Sequence, residues 1–228
     1  MRAHQRMTPR ARWAMSRLCI VFALVLGLCA CGRPESRVQI QAQSELRATA
    51  PRPALDENTP IGLRGIGPVA VGMTVREAEE AAGMPLRVDS FADFGGTCYF
   101  ARPEGLDDHV YLLILAPGNA PVIDPRDGIV SRVSSAVGMA SPAKTDTGIG
   151  IGSTEAEVYA AYPGQVQVQP HHYDPHGHYL TVTPSDPADQ AYRIRFSTDG
   201  AKVVVIDAGL ERATSLVEGC AQPGTRSS

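Results

Sequence analysis

The chain has 228 residues, of which 21 are basic and 24 acidic. Five arginines lie in the first seventeen residues, so the rest of the chain carries 16 basic against 24 acidic residues, a net charge near −8. An acidic chain of this kind is a poor partner for nucleic acid or for anionic lipid headgroups. The length after the first sixty residues is enough for one domain with a modest core.

The first 30 residues have the composition of an export signal. Five arginines and no acidic residue precede an uncharged apolar run of eleven residues, which extends from Leu18 to Leu28. A membrane-spanning helix needs roughly 20 apolar residues, so this run is too short to cross a bilayer. A buried core helix fits less well, because the run has no polar face. We therefore predict that residues 1–30 are a signal peptide.

The stretch "LCAC" at the end of this signal resembles the lipobox of bacterial lipoproteins, with Leu28 three residues before Cys31. The resemblance implies that Cys31 is acylated and becomes the new N-terminus, and that acyl chains anchor the protein to a membrane. An ordinary secretory signal cleaved nearby is the alternative. Residues 31–60, polar and rich in proline, then form a flexible tether. Gly32 follows Cys31, which implies the periplasmic side of the outer membrane in a Gram-negative host, and otherwise the outer face of the plasma membrane.

Two segments in the rest of the chain match at an offset of 80 residues: "VAVGMTVREAEEAAG" (69–83) and "IGIGSTEAEVYAAYPG" (149–164). In each copy a glycine allows a sharp turn, a threonine can cap a helix, and a glutamate three residues later completes a capping box. The matching positions are Gly72, Thr74 and Glu77 in the first copy, and Gly152, Thr154 and Glu157 in the second. The repeat therefore predicts two short helices with the same start.

Strand-like segments follow each predicted helix. They cover residues 97–102, 110–116 and 129–135 after the first helix, and 165–169, 178–184, 192–197 and 202–209 after the second. Arg193 and Arg195 alternate with apolar residues, which predicts a sheet with one wet and one covered face. We therefore predict an α+β protein of two tandem helix-plus-antiparallel-meander repeats, residues 61–145 and 146–228 with a C-terminal tail, that form one domain.

The segment "VGMTVREAEEAAG" is similar to the helix start of the small bacterial-envelope modules related to BamE (SmpA/OmlA). The tandem arrangement resembles that of the β-lactamase inhibitor protein, and the chain as a whole resembles a group of bacterial lipoproteins without an assigned activity. The likeness covers about fifteen residues in each copy. It implies a turn, a cap and a helix face, and therefore a fold without an activity.

Cys98 and Cys220 form an even pair once Cys31 is set aside for lipidation. Exported proteins reside in an oxidising compartment, where such a pair forms a disulfide. Closing a loop of this length is worth about 4–5 kcal/mol in the chain-entropy model. A free catalytic cysteine is the alternative, but the sequence offers no evident base for it.

Four histidines lie within the His171–His178 segment. Imidazole is a good ligand for Zn²⁺ and Cu²⁺, and the candidate ligands are His172, His176 and His178. The alternative is a polar hairpin loop without a metal, which is the interpretation we favour, so no cofactor is predicted.

No sequence pattern of a serine hydrolase, a zinc protease or a redox pair is present, and "GIGIGS" (148–153) lacks the spacing and the lysine of a nucleotide loop. We therefore predict a non-enzymatic protein-interaction module of the cell envelope, held to membrane lipid by acylated Cys31, with another envelope protein as its partner and no nucleic acid. The alternative is an extracytoplasmic protein that binds a transition metal through the His171–His178 loop.

Overall fold

The computed structural model describes residues 55–221, apart from residues 90, 91, 94, 107, 108, 137 and 139–141. The predicted signal, the lipobox with Cys31 and most of the predicted tether lie outside the described residues. Leu55 is buried in the core, so the packed chain begins before the predicted domain start at Ile61. Within these ranges, no helix combines the length and the apolar character that a membrane span requires.

The strands of the described chain are β1 (Ile61–Gly62), β2 (Gly65–Ile66), β3 (Val69–Ala70), β4 (Leu86–Asp89), β5 (Cys98–Pro103), β6 (Tyr111–Leu115), β7 (Ile129–Ala136), β8 (Val166–Pro170), β9 (His178–Val182), β10 (Tyr192–Thr198) and β11 (Val203–Leu210). The helices are α1 (Val75–Ala82), α2 (Glu155–Ala161) and α3 (Glu211–Thr214). Short 3-10 turns span Pro117–Asn119, Pro125–Asp127, Pro187–Asp189 and Gly219–Ala221.

The prediction of an α+β protein made of two tandem helix-plus-meander repeats is wrong, because the fold is mostly β. A small sheet has the order β1-β2-β3, and a large antiparallel sheet has the order β4-β5-β6-β7-β11-β10-β9-β8. β7 pairs with β11, with Val133 opposite Ala208, so strands from both halves of the chain form one continuous sheet. α1 and α2 have only eight and seven residues. The alternation within each strand says which residues share a face, but not which distant strand will pair with it.

α1 and α2 nevertheless start as the matching segments predicted. The structure has both capping boxes, formed by Thr74 with Glu77 and by Thr154 with Glu157, and positive φ angles at Gly72 and Gly152. In each box the threonine hydroxyl accepts from the glutamate N–H, and the glutamate carboxylate accepts from the threonine N–H. These backbone hydrogen bonds, helped by the threonine hydroxyls, hold the pKa of both glutamates below its ordinary value.

α1 and α2 contribute to the main hydrophobic core, which lies on one side of the large sheet. We call that side the first face. Val75, Val158 and Tyr162 are buried there, and the Tyr162 ring centroid lies 5.8 Å from that of Phe196. Full burial of side chains of this size is worth about 1.5–3 kcal/mol each. Because successive strand residues point to opposite sides, the remaining residues of the same strands form a second face.

Candidate functional site

Polar residues lie directly opposite one another across the second face of the large sheet. The strand register gives the row Gln167 (β8), Thr181 (β9), Arg195 (β10), Asp207 (β11), Ser134 (β7) and Tyr111 (β6). Directly paired residues in an antiparallel sheet project from the same side, so this row is a continuous stripe. Arg195, Asp207 and Ser134 are all buried. The stripe therefore places charged groups in the middle of the sheet.

Asp207 is the shared acceptor of this stripe. The Ser134 hydroxyl donates to Oδ1 of Asp207 at 2.6 Å. Nε of Arg132 lies 3.3 Å from the same oxygen, and Nη2 of Arg195 lies 3.5 Å from Oδ2. The Arg132 Nε–H is not directed at the carboxylate, so this contact is an ion pair and not a hydrogen bond. Two buried arginines thus share one carboxylate.

The two arginines differ in their remaining contacts. Nη1 of Arg132 donates to the carbonyl oxygens of Ala213 and Leu216, at 2.9 and 3.0 Å. The Arg195 guanidinium lies over the Tyr179 ring, 4.7 Å from its centroid. Nε of Arg195 is buried and has no hydrogen-bond partner among the described residues. Nε of Arg132 also lacks a hydrogen bond, so within the described chain Arg132 makes two hydrogen bonds and Arg195 makes one, from Nη2 to Asp207.

Arg195 lines a cavity of about 340 Å³ over strands β8–β10, which we call the groove. α3 and the residue after it form one wall. The lining residues are Gln167, Gln169, Thr181, Thr183, Arg193, Arg195, Glu211, Thr214 and Ser215. Nη2 of Arg193 pairs with Glu211 at 3.2 Å, and its Nη1 donates to two backbone carbonyls. The groove is therefore a polar site with hydrogen-bonding groups on its floor and wall.

The predicted disulfide is present and lies beside the groove wall. Cys98 at the start of β5 is bonded to Cys220 in the last 3-10 turn, with an S–S distance of 2.08 Å. Both cysteines are buried in a small apolar cluster with Leu113 and Ala213 on the second face. The bond therefore ties α3 and the segment after it, which supply the two carbonyl partners of Arg132, to the large sheet.

The candidate metal ligands His172, His176 and His178 make separate contacts. Nδ1 of His178 lies 2.8 Å from Oε1 of Glu155, and the His172 ring packs edge-on against the Tyr173 ring. His176 is exposed. No group of three His, Cys, Asp or Glu side chains suited to a metal ion occurs in the described part of the chain. Metal binding by this loop stays the untested alternative to the loop without a metal that we favour, and the structure adds no geometry to it.

Glu155 joins His178 to β10. The Thr198 hydroxyl donates to Oε1 of Glu155 at 2.5 Å, and the His178 ring lies against the same oxygen. Burial raises the pKa of Glu155, but the hydrogen bonds from Thr198 and His178 outweigh it and hold the pKa below its ordinary value. This cluster contains one carboxylate with two hydrogen-bonding partners and no arginine. We call it balanced because it has no cation in excess of its carboxylate, unlike the Asp207 cluster.

A second cleft, of about 450 Å³, lies beside the small sheet and includes Arg64. Nε of Arg64 donates to Asp189 at 2.6 Å, and its Nη2 donates to the Ala188 carbonyl. Its guanidinium lies 4.8 Å from the Tyr192 ring centroid. Arg64 therefore lies over a tyrosine ring as Arg195 does, has hydrogen-bond partners for Nε and Nη2, and is more exposed, so it serves as a control arginine outside the groove.

The Asp207 cluster was not predicted from the sequence. The alternation of Arg193 and Arg195 with apolar residues predicted a wet face, whereas Arg195 is only 8% exposed. A usable signal existed, since Arg132 in "IVSRVSS" and Asp207 in "VVVIDAG" are single charges within strand-like runs. Charged residues are seldom fully buried unless they are paired, so two such runs of opposite sign favour a buried ion pair.

No model of a known protein family matches this chain, and no curated protein matches it either. The chemistry of the site therefore rests on its own geometry.

Proposed function

We propose that the protein is an exported, lipid-anchored protein of the bacterial envelope that binds another envelope component without catalysing a reaction. The observation that carries this proposal is the groove, where a buried arginine in excess of its counter-charges underlies a polar cavity. Fixed hydrogen-bonding groups of this kind hold and orient a ligand. Arginine stays protonated in proteins and cannot act as a general base, so the groove chemistry favours binding.

The sequence supports the proposed location in the bacterial envelope. The signal-like residues 1–30 and the lipobox ending at Cys31 favour export followed by acylation. The Cys98–Cys220 disulfide is suited to an oxidising compartment. The similarity of residues 69–83 to the envelope modules related to BamE favours the same location. We therefore propose that acylated Cys31 holds the groove close to a membrane, where it meets its partner.

Metabolic labelling with a fatty-acid probe tests the anchor. We expect Cys31→Ser to abolish the label and to release the protein from the membrane fraction, because the acyl chains supply the membrane affinity. Cys29→Ser is the matched control and should keep both the label and the membrane association. Unchanged labelling of Cys31→Ser would refute the lipid anchor.

A further inference from the structure

We infer that the groove binds a carboxylate group and that Arg195 is the residue that holds it. This inference rests on the proposed binding function and names the chemistry of the ligand. It follows from the charges of the site, the unmet hydrogen bonding of Arg195, and the size and lining of the groove.

The charges around the groove do not balance. Arg193 pairs with Glu211 at 3.2 Å, and Arg132 pairs with Asp207 at 3.3 Å. Arg195 shares Asp207 with Arg132, and its Nη2 donates a hydrogen bond to Oδ2 at 3.5 Å. Three arginines against two carboxylates leave one positive charge in excess. A ligand with one negative charge would neutralise the site.

Arg195 is held ready for such a ligand. Its side chain is only 9% exposed, and burying a cation without a full set of partners is costly. The guanidinium lies over the Tyr179 ring, which restricts its motion; its Nη2 donates one hydrogen bond, to Asp207, and its buried Nε lacks a partner within the described chain. A fixed guanidinium fork loses little freedom when it binds, which favours a ligand that can accept two parallel hydrogen bonds.

A carboxylate fits this fork better than other anions do. Its two oxygens are planar and match a guanidinium bidentately. Phosphate and sulfate carry more negative charge than the single excess positive charge can neutralise, and Glu211 and Asp207 would repel the surplus. Gln167 and Thr181 stand on the groove floor beside Arg195 and provide neutral hydrogen-bonding groups for the rest of the ligand.

The groove volume of about 340 Å³ is near the lower end of the range for small-molecule sites, about 300–1,000 Å³. It can hold one acidic side chain of a peptide with parts of its neighbours, or a small free carboxylic acid. Both sources present the same group to Arg195, and they differ in whether a peptide backbone adds affinity.

Calorimetric titration of the full-length protein in detergent micelles tests the inference with two acids. The probes are a terminally blocked Gly-Glu-Gly peptide and propionate, which is the free counterpart of a glutamate side chain. Their neutral controls are blocked Gly-Gln-Gly and propionamide. We expect each acid to bind about tenfold more tightly than its amide, since a hydrogen bond to a charged group is worth about 1.5–3 kcal/mol. Tighter binding of the peptide than of propionate identifies a protein ligand, and equal binding identifies a small carboxylate.

Arg195→Gln should weaken binding of the acids about tenfold or more, while Arg64→Gln should leave it unchanged. If Arg195→Gln does not fold, Arg195→Lys keeps the charge and removes the fork, and binding should fall about threefold or more. Equal affinity for acid and amide, no saturable binding up to about 10 mM acid, or an Arg195 variant that binds as well as wild type would each overturn the inference. If one of these results is obtained while labelling still depends on Cys31, the inferred ligand chemistry is wrong and the proposed lipid anchor still stands.

Discussion

The second face of the large sheet has two halves, one covered by other segments and one open as the groove. Over β5 and β6 the face is largely apolar, and α3 with the segment after it covers this half with Ala213, Leu216 and the disulfide. Over β8–β10 the same face carries Gln167, Thr181 and Arg195 and stays open as the groove. Both halves belong to one antiparallel sheet. The alternation of a strand therefore sets its two faces, and the residue types on a face decide whether another segment covers it.

Asp207 stands at the border between the halves. Arg132 contacts it from the covered half and is completed by the Ala213 and Leu216 carbonyls. Arg195 contacts it from the open half through one hydrogen bond from Nη2, and no backbone carbonyl among the described residues accepts from its guanidinium. Gly209 lies between Arg132 and Arg193 in the next row, with φ of 146°, and a β-carbon there would clash with the backbone of β7. The backbones of β7 and β11 therefore approach each other closely at this border, next to the buried charges.

Removing the disulfide should have the largest effect, because it loosens the covered half. The Cys98→Ser, Cys220→Ser double variant should lose about 4–5 kcal/mol of unfolding free energy, since the bond closes a sequence separation of 122 residues. Denaturant unfolding measures this loss, and chemical reduction of the wild-type protein should reproduce it. A loss below about 1 kcal/mol would mean that the covered half holds without the bond.

The two arginines should differ sharply in their contribution to stability. Arg132→Gln removes the partner of two backbone carbonyls and should cost about 3–5 kcal/mol. Arg195→Gln leaves Arg132 and Asp207 as a balanced pair and should cost about 1 kcal/mol or less. Denaturant unfolding of both variants at neutral pH gives the comparison. Equal costs would contradict the claim that Arg195 is the arginine in excess.

The balanced cluster of Glu155, His178 and Thr198 is a reference for the unbalanced one, with a smaller expected effect. The pKa of Glu155 is lowered in the folded protein, so its stabilisation is fully present above its unfolded pKa of about 4.3 and is lost as pH falls through the folded value. The stability advantage of wild type over Glu155→Gln should therefore shrink below about pH 4.3. Thermal unfolding across this range measures it, and a constant difference would contradict the assignment.

The sequence predicted local features well. The caps at Thr74 and Thr154 and the disulfide between Cys98 and Cys220 depend on short motifs or on compartment chemistry, and all are present. The joining of β7 to β11 was missed, because no local pattern states which distant strands pair. β4, β1 and β2 were missed because these strands are only two to four residues long.

The candidate site could be predicted only in part. Arg195 was recognised as alternating with apolar residues, but its burial depends on Asp207 and Tyr179, which only the sheet register brings to it. Alternation assigns a residue to a face, and whether that face meets solvent or another segment is a property of the assembled sheet.

Site-specific photocrosslinking in the native envelope tests most directly the claim that the groove is the binding surface. A photoreactive residue replaces Gln169 on the groove rim, or Ala160 on α2 as an exposed control position. We expect a discrete adduct from position 169 that weakens strongly in the Arg195→Gln background, and no such adduct from position 160. Equal adducts from both positions, or an adduct from position 169 that Arg195→Gln leaves unchanged, would contradict this claim.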